Sequence, residues 1–153
     1  MSNYLNCMFT YDAVAQISRI REKANEYIQE LLKKEGIDDL APSHGDILMA
    51  LYDSEAPLSI KEISERIKRT SATVVVLIEK LEKAGWVERT KSEKDQRVTF
   101  VSLTKRAQGI YEIFRNISER LNNVVYEGFS DVEKVLLGEL LRRVNSNFDK
   151  ALL

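Results

Sequence analysis

Residues 70–104 read TSATVVVLIEKLEKAGWVERTKSEKDQRVTFVSLT, and a change of periodicity inside this stretch decides the fold. Val74, Leu77, Ile78 and Leu81 recur at three- and four-residue steps, which gathers apolar side chains on one face of a helix. Thr70 or Ser71 supplies a capping oxygen at its start, and Gly85 closes it. Beyond Gly85 the pattern changes. Trp86–Lys91 and Arg97–Leu103 are rich in β-branched and aromatic residues, and the five residues between them, Ser92 to Gln96, are all polar. That is the signature of a β-hairpin with a charged tip.

Working upstream, Ser59 and Glu62 stand three apart in a capping-box arrangement, and Ile60, Ile63 and Ile67 continue as a short helix. Two short helices with a tight connection make a helix-turn-helix candidate, and the hairpin that follows makes it a winged helix. Pro42 and Ser43 start a further helix with Ile47, Leu48, Leu51 and Tyr52 on its buried stripe, and Pro57 breaks the chain after it. Val14, Ile17, Ile20, Ala24, Tyr27, Ile28 and Leu31 predict a long amphipathic helix over roughly residues 12–34, ended by Gly36. Downstream, Thr104 is expected to cap a long helix carrying Ile110, Ile113, Phe114, Ile117, Leu121 and Val124, ended by Gly128. Ser130 and Glu133 form a second capping box for a last helix with Val132, Leu136, Leu140, Val144 and Phe148 on one side.

The expected architecture is therefore mainly α with a small β-hairpin wing. A single domain, 1–153, contains a winged helix-turn-helix core over 43–104 and helical regions over 1–35 and 105–153. These outer helices are longer than so small a core can cover, and their apolar stripes need another surface. They either fold back as a bundle or pack between two subunits as dimerisation helices.

The whole chain carries a net charge of −1, which argues against a nucleic-acid partner until its distribution is read. Between Ser59 and Arg106 stand twelve Lys+Arg against seven Asp+Glu, whereas the rest of the chain holds eleven against seventeen. A basic middle lies between acidic ends. The apolar run Val74–Ile78 is far too short to cross a membrane, and Met1–Tyr11 lacks the basic start and apolar run of a secretory signal. With a single cysteine, Cys7, no intramolecular disulfide is expected and a reducing cytoplasm is the expected location. No phosphate-cradling glycine loop, paired Cys or His metal ligands, or GxSxG elbow occurs, so neither an enzyme nor a metal or cofactor site is expected.

The string Leu81-Glu82-Lys83-Ala84-Gly85-Trp86-Val87-Glu88-Arg89, followed by Asp95-Gln96-Arg97 and Val101-Ser102-Leu103-Thr104, resembles the multiple-antibiotic-resistance regulator (MarR) family of winged-helix repressors. Ala107 departs from that pattern, which commonly has Gly there; Ala, a good helix former, carries no structural cost. The resemblance implies a homodimer that binds double-stranded operator DNA, regulates transcription, most often as a repressor, and responds to a small-molecule effector.

In such a protein the helix after Thr70 lies in the major groove. With its apolar stripe turned inward, Arg69, Ala72, Thr73, Val76, Lys80 and Lys83 point outward. Arg69, Thr70, Ser71, Thr73, Val76 and Lys80 are the expected contacts on this helix. Val75 and Val76 stand where the family often has hydrogen-bonding residues. Either both offer apolar contact to thymine methyl groups, or Val75 packs on the preceding helix and only Val76 is exposed. On the wing, Arg97 suits a narrow A·T-rich minor groove, Asp95 can hold its guanidinium through a bidentate pair, and Arg89, Lys91 and Lys94 add phosphate contacts.

The family's effector cleft implies Tyr27, His44, Tyr52 and Tyr111 as lining candidates, although aromatic residues at helical spacing more commonly belong to a core. For His44, in the first turn of a helix, capping or a surface role is the default. Cys7 with Tyr11 four residues on is similar to a peroxide-sensing branch of the family. That leaves a thiol-based redox regulator as one alternative and a winged helix used only for protein contact as another.

Overall fold

The computed structural model describes residues 12–151, so Cys7 and Tyr11 lie outside the described residues. The chain divides into two compact units that meet at Ile117 and Ser118.

The first unit begins with α1 (Ala13–Lys34), whose last turn reaches the core through Leu31 and Leu32 while Val14, Ile17 and Ile20 remain exposed. Next come α2 (Pro42–Tyr52), the two-residue strand β1 (Leu58–Ser59), α3 (Ile60–Ile67) and α4 (Ser71–Lys83). Strands β2 (Val87–Lys91) and β3 (Thr99–Leu103) follow, then α5 (Lys105–Gln108) and the start of α6 (Tyr111–Val125). α2, α3 and α4 pack around Ile47, Leu48, Ile63, Val74, Ile78 and Leu81, all withdrawn from water, and the sheet closes one side with Leu58, Val87 and Val101. Burial of each large aliphatic side chain contributes roughly 2 kcal/mol, so this cluster holds the unit together. The second unit contains the rest of α6 and α7 (Asp131–Ala151). No described helix is long and apolar enough to cross a membrane.

The helix starts follow from local chemistry. Ser59 Oγ accepts from the Glu62 amide while Glu62 Oε2 accepts from the Ser59 amide at 2.7 Å, and Ser130 and Glu133 repeat the exchange before α7. In both carboxylates the hydrogen bonds from the capping serine hold the pKa below the ordinary value. Thr70, one of the two candidates, is the residue that caps α4.

The hairpin of β2 and β3 forms as expected, and a third strand joins it: β1 pairs antiparallel with β3 (Leu58 opposite Val101, Ser59 opposite Phe100) to give the sheet order β1-β3-β2. A two-residue strand leaves no period to read. The helix after Thr104, expected to be continuous, is broken into α5 and α6. Ala107 presents its carbonyl to the Ile110 amide in a three-residue turn and to the Tyr52 hydroxyl from α2, and Gly109, a poor helix former, occupies the break.

His44 is buried, not a surface residue, and it caps: its Nδ1 accepts from the Ala41 amide at 3.1 Å. Burial, then the charge of Lys80, keeps its pKa below the ordinary 6.5. Only the neutral ring can accept that hydrogen bond.

Two outcomes are expected. Because the unfolded chain takes up the His44 proton at a higher pH than the folded chain, the thermal midpoint falls as pH drops below 6.5 and is level above it. Since His44 is the only histidine, a His44→Asn variant shows no fall in that window. Lys68, in the turn between α3 and α4, has φ +52° and lies in the left-handed region. Lys68→Gly therefore raises unfolding stability by up to about 1 kcal/mol in a urea titration.

Candidate nucleic-acid interface

The orientation of α4 follows from what it buries. Val74, Leu77, Ile78 and Leu81 face the core, so Ala72, Thr73, Val76, Lys80 and Lys83 are exposed on the other side, with Val76 51% accessible. Val75 is half-buried, so the second of the two valine readings matches the exposure pattern better. At the N-terminus, Thr70 Oγ1 accepts from the Thr73 amide and lies 2.9 Å from the Thr73 hydroxyl. The Ser71 hydroxyl meets that of buried Ser64 on α3 at 3.2 Å, which ties the two helices together. Arg69 lies just before the cap and pairs with Asp46 of α2 at 3.1 Å, both side chains about half exposed.

At the other end of α4, Gly85 adopts φ +74°, so the Gly85 and Trp86 amides can return to the Glu82 and Leu81 carbonyls at 2.9 Å each. The chain then enters β2 directly, so helix and wing share one hydrogen-bonded corner.

The wing tip is built by its own hydrogen bonds. Ser92 Oγ accepts from the Lys94 and Asp95 amides, and the Val98 amide donates to the Asp95 carbonyl at 2.9 Å. A single oxygen, Asp95 Oδ1, accepts both the Arg97 amide at 3.0 Å and Arg97 Nε at 3.2 Å. The pair is thus held through one carboxylate oxygen rather than the expected two-oxygen fork. It anchors the base of a guanidinium whose side chain is 92% exposed.

The other wing cations differ from one another. Arg89 donates to Glu82 Oε2 through Nε at 2.9 Å and through Nη2, a contact that raises the arginine pKa and lowers that of the glutamate. Its charge is largely matched within the chain. Lys91 and Lys94 are exposed and make no ion pair among the described residues. Sequence spacing does not reveal the neutralising role of Glu82, because residues 82 and 89 are on different elements, and a lysine at position 68 gives no signal for a left-handed turn.

The four cleft candidates are only partly brought together. Tyr52 and Tyr111 rings lie 4.9 Å apart, with Phe114 6.0 Å from Tyr52. The Tyr52 hydroxyl donates to Ala107, and burial pushes its pKa up to about 12. Tyr27 is half-buried against the core. His44 is eight residues from Tyr52 along α2, about 12 Å away. Two surface grooves of the first unit are lined by other side chains, one including Asp46, Asp53 and Arg66, the other Glu55, Ser102 and Gln108.

A model of the MarR family matches residues 40–99. The HTH-type transcriptional regulator SarZ of Staphylococcus aureus is 30% identical over 151 residues, which span 97% of this chain and 94% of that protein. Among solved structures, the S. aureus MepR–DNA complex superposes with a TM-score of 0.78 at 22% identity, covering 91% of this chain and 98% of that one. Bordetella bronchiseptica BpsR, described with its regulation of DNA binding by 6-hydroxynicotinic acid, gives 0.75 at 20% identity, over 90% and 95% of the two chains. At such identities these two show the shared fold. The 30% identity to SarZ over nearly the full length of both chains, with the family match over the core, establishes more: the chain belongs to the MarR family of winged-helix transcriptional regulators.

Proposed function

We propose that two copies of this chain bind one operator duplex, with α4 of each in the major groove and each wing in the adjacent minor groove, and so regulate transcription as a repressor in the cytoplasm. The observation that carries the reading is Arg97. It is a nearly fully exposed guanidinium fastened by Asp95 to a self-bonded tip, in the same compact unit as an α4 face that presents Thr73, Val76, Lys80 and Lys83. A guanidinium held by a carboxylate at its Nε alone, with the rest of the side chain in solvent, is arranged to meet an external anion, and the narrow minor groove of A·T-rich DNA supplies one.

At the start of α4 and along it, Thr70, Ser71, Thr73 and Lys80 are the proposed contacts to phosphates and base edges, Val76 contacts thymine methyls, and Arg69, just before the cap, contributes less because Asp46 already matches its charge. Lys91 and Lys94 neutralise phosphates, and Arg89 contributes less because Glu82 already matches its charge. In domain terms, residues 43–104 form the DNA-binding core and 1–35 and 105–153 the dimerisation region. Exposed apolar side chains on α1 (Val14, Ile20) and α7 (Val132, Val135, Leu136) support pairing between copies. The MepR–DNA complex supports the duplex as partner, and the regulation of BpsR by 6-hydroxynicotinic acid supports a small-molecule effector, with Tyr27, His44, Tyr52 and Tyr111 as proposed lining residues.

Fluorescence anisotropy with duplex DNA from upstream of the chain's own coding region tests this reading. Arg97→Ala weakens binding by about tenfold or more at fixed salt and relaxes preference for A·T-rich flanks, whereas Lys94→Ala lowers the slope of log affinity against log salt by about one. Unchanged affinity and sequence preference in Arg97→Ala contradict the wing assignment.

A further inference from the structure

We propose that Arg106 is a positioning residue that sets the angle between the wing and the recognition helix α4, and that its pairing with Asp39 ties that angle to the α1–α2 connection. The inference rests on the DNA-binding reading above and deepens it.

Three parts of the first unit meet at this one guanidinium. Its central carbon lies 3.7 Å from the centre of the Trp86 ring, which is 1% exposed and directly precedes β2. Its Nη1 donates to the carbonyl of Ala84, the residue that ends α4, at 2.5 Å. The same nitrogen pairs with Asp39 Oδ2, in the connection between α1 and α2, at 2.9 Å. The second strand of the wing is held at the same corner, because Thr104, just past β3, donates its hydroxyl to Gly85 at 2.8 Å and its amide to Trp86 at 3.1 Å.

Arginine suits this place because a planar guanidinium can stack on an indole face while its edge donates hydrogen bonds; an ammonium cannot do both. The ion pair is half exposed, with 49% of the Arg106 and 40% of the Asp39 side chain accessible, so it adds little to stability. Its effect is geometric. The five residues of β2 span about 17 Å, so a pivot of about 5° at the foot moves the wing tip by roughly 1.5 Å. That is half a hydrogen-bond length, enough to withdraw Arg97 from a contact. With its charge directed to Asp39, Arg106 itself is not a phosphate ligand.

The test uses the full chain, the same upstream duplex, and the variants Arg106→Gln, Arg106→Lys, Asp39→Asn and the Asp39→Asn/Arg106→Gln double. Trp86 is the only tryptophan, so its emission reports the stack directly. Arg106→Gln is expected to bind about tenfold more weakly, with altered Trp86 emission and Arg106→Lys in between. Asp39→Asn is expected to lose about threefold, the scale of a half-exposed ion pair, and the double variant to be no worse than Arg106→Gln. In every case the salt slope stays at the wild-type value. A slope reduced by about one unit makes Arg106 a direct phosphate contact and overturns the proposal; so does wild-type affinity in Arg106→Gln. Should Arg106→Gln not fold, Asp39→Asn decides alone: weaker binding at constant slope with changed Trp86 emission supports the clasp, and wild-type behaviour overturns it. Wild-type protein without salt-sensitive binding fails the DNA-binding reading itself, whereas wild-type binding that the variants leave intact fails only the clasp.

Discussion

Val74, Leu77, Ile78 and Leu81 run down one side of α4 and are almost wholly removed from water. At roughly 2 kcal/mol for each such side chain, their burial outweighs any preference the exposed residues have for another rotation of the helix. A turn of α4 about its axis by one residue would put an apolar side chain into water and a lysine or threonine into the core. The outward row of Thr73, Val76, Lys80 and Lys83 is thus a consequence of the core. The same cluster anchors the Gly85 turn and Trp86, so the wing inherits its position from it.

Electrostatics then selects among the cations so displayed. The chain as a whole is slightly acidic, and several of its arginines are matched internally: Arg69 by Asp46, Arg89 by Glu82, Arg106 by Asp39. Lys80, Lys91 and Lys94 are exposed, and Arg97 is held by Asp95 at its Nε with the rest of its side chain in solvent. Internally matched arginines serve as braces, while the exposed cations project from α4 and the wing. A net charge near zero therefore coexists with a locally positive surface, because ion pairing and exposure divide the basic residues by role.

Features set by neighbours in sequence were legible before the structure: the Ser59–Glu62 and Ser130–Glu133 caps, the buried stripe of α4, the closing Gly85, and the polar hairpin tip. Each depends on residues within one or two turns, where spacing carries the information. Features set by distant partners were not. β1 exists only because Val101 and Phe100 are there to pair with it, the break before α6 involves a hydroxyl from Tyr52 some fifty residues away, and His44 is buried by elements its own helix does not contain. At the interface, the identity of the exposed α4 residues followed from periodicity. The arginines that face a carboxylate on another element, and so lose much of their pull on phosphate, could be recognised only once the chain was folded.

Operator binding by α4 and the wing requires two copies of the winged core on one duplex, with their α4 helices about one helical turn of DNA apart. Sedimentation equilibrium of the protein mixed with the upstream duplex, run at a salt concentration that suppresses non-specific binding, measures this directly. The predicted result is a complex of two chains per duplex that is lost when half a helical turn of DNA is inserted at the centre of the site. A single chain per duplex, or binding indifferent to that insertion, would contradict it.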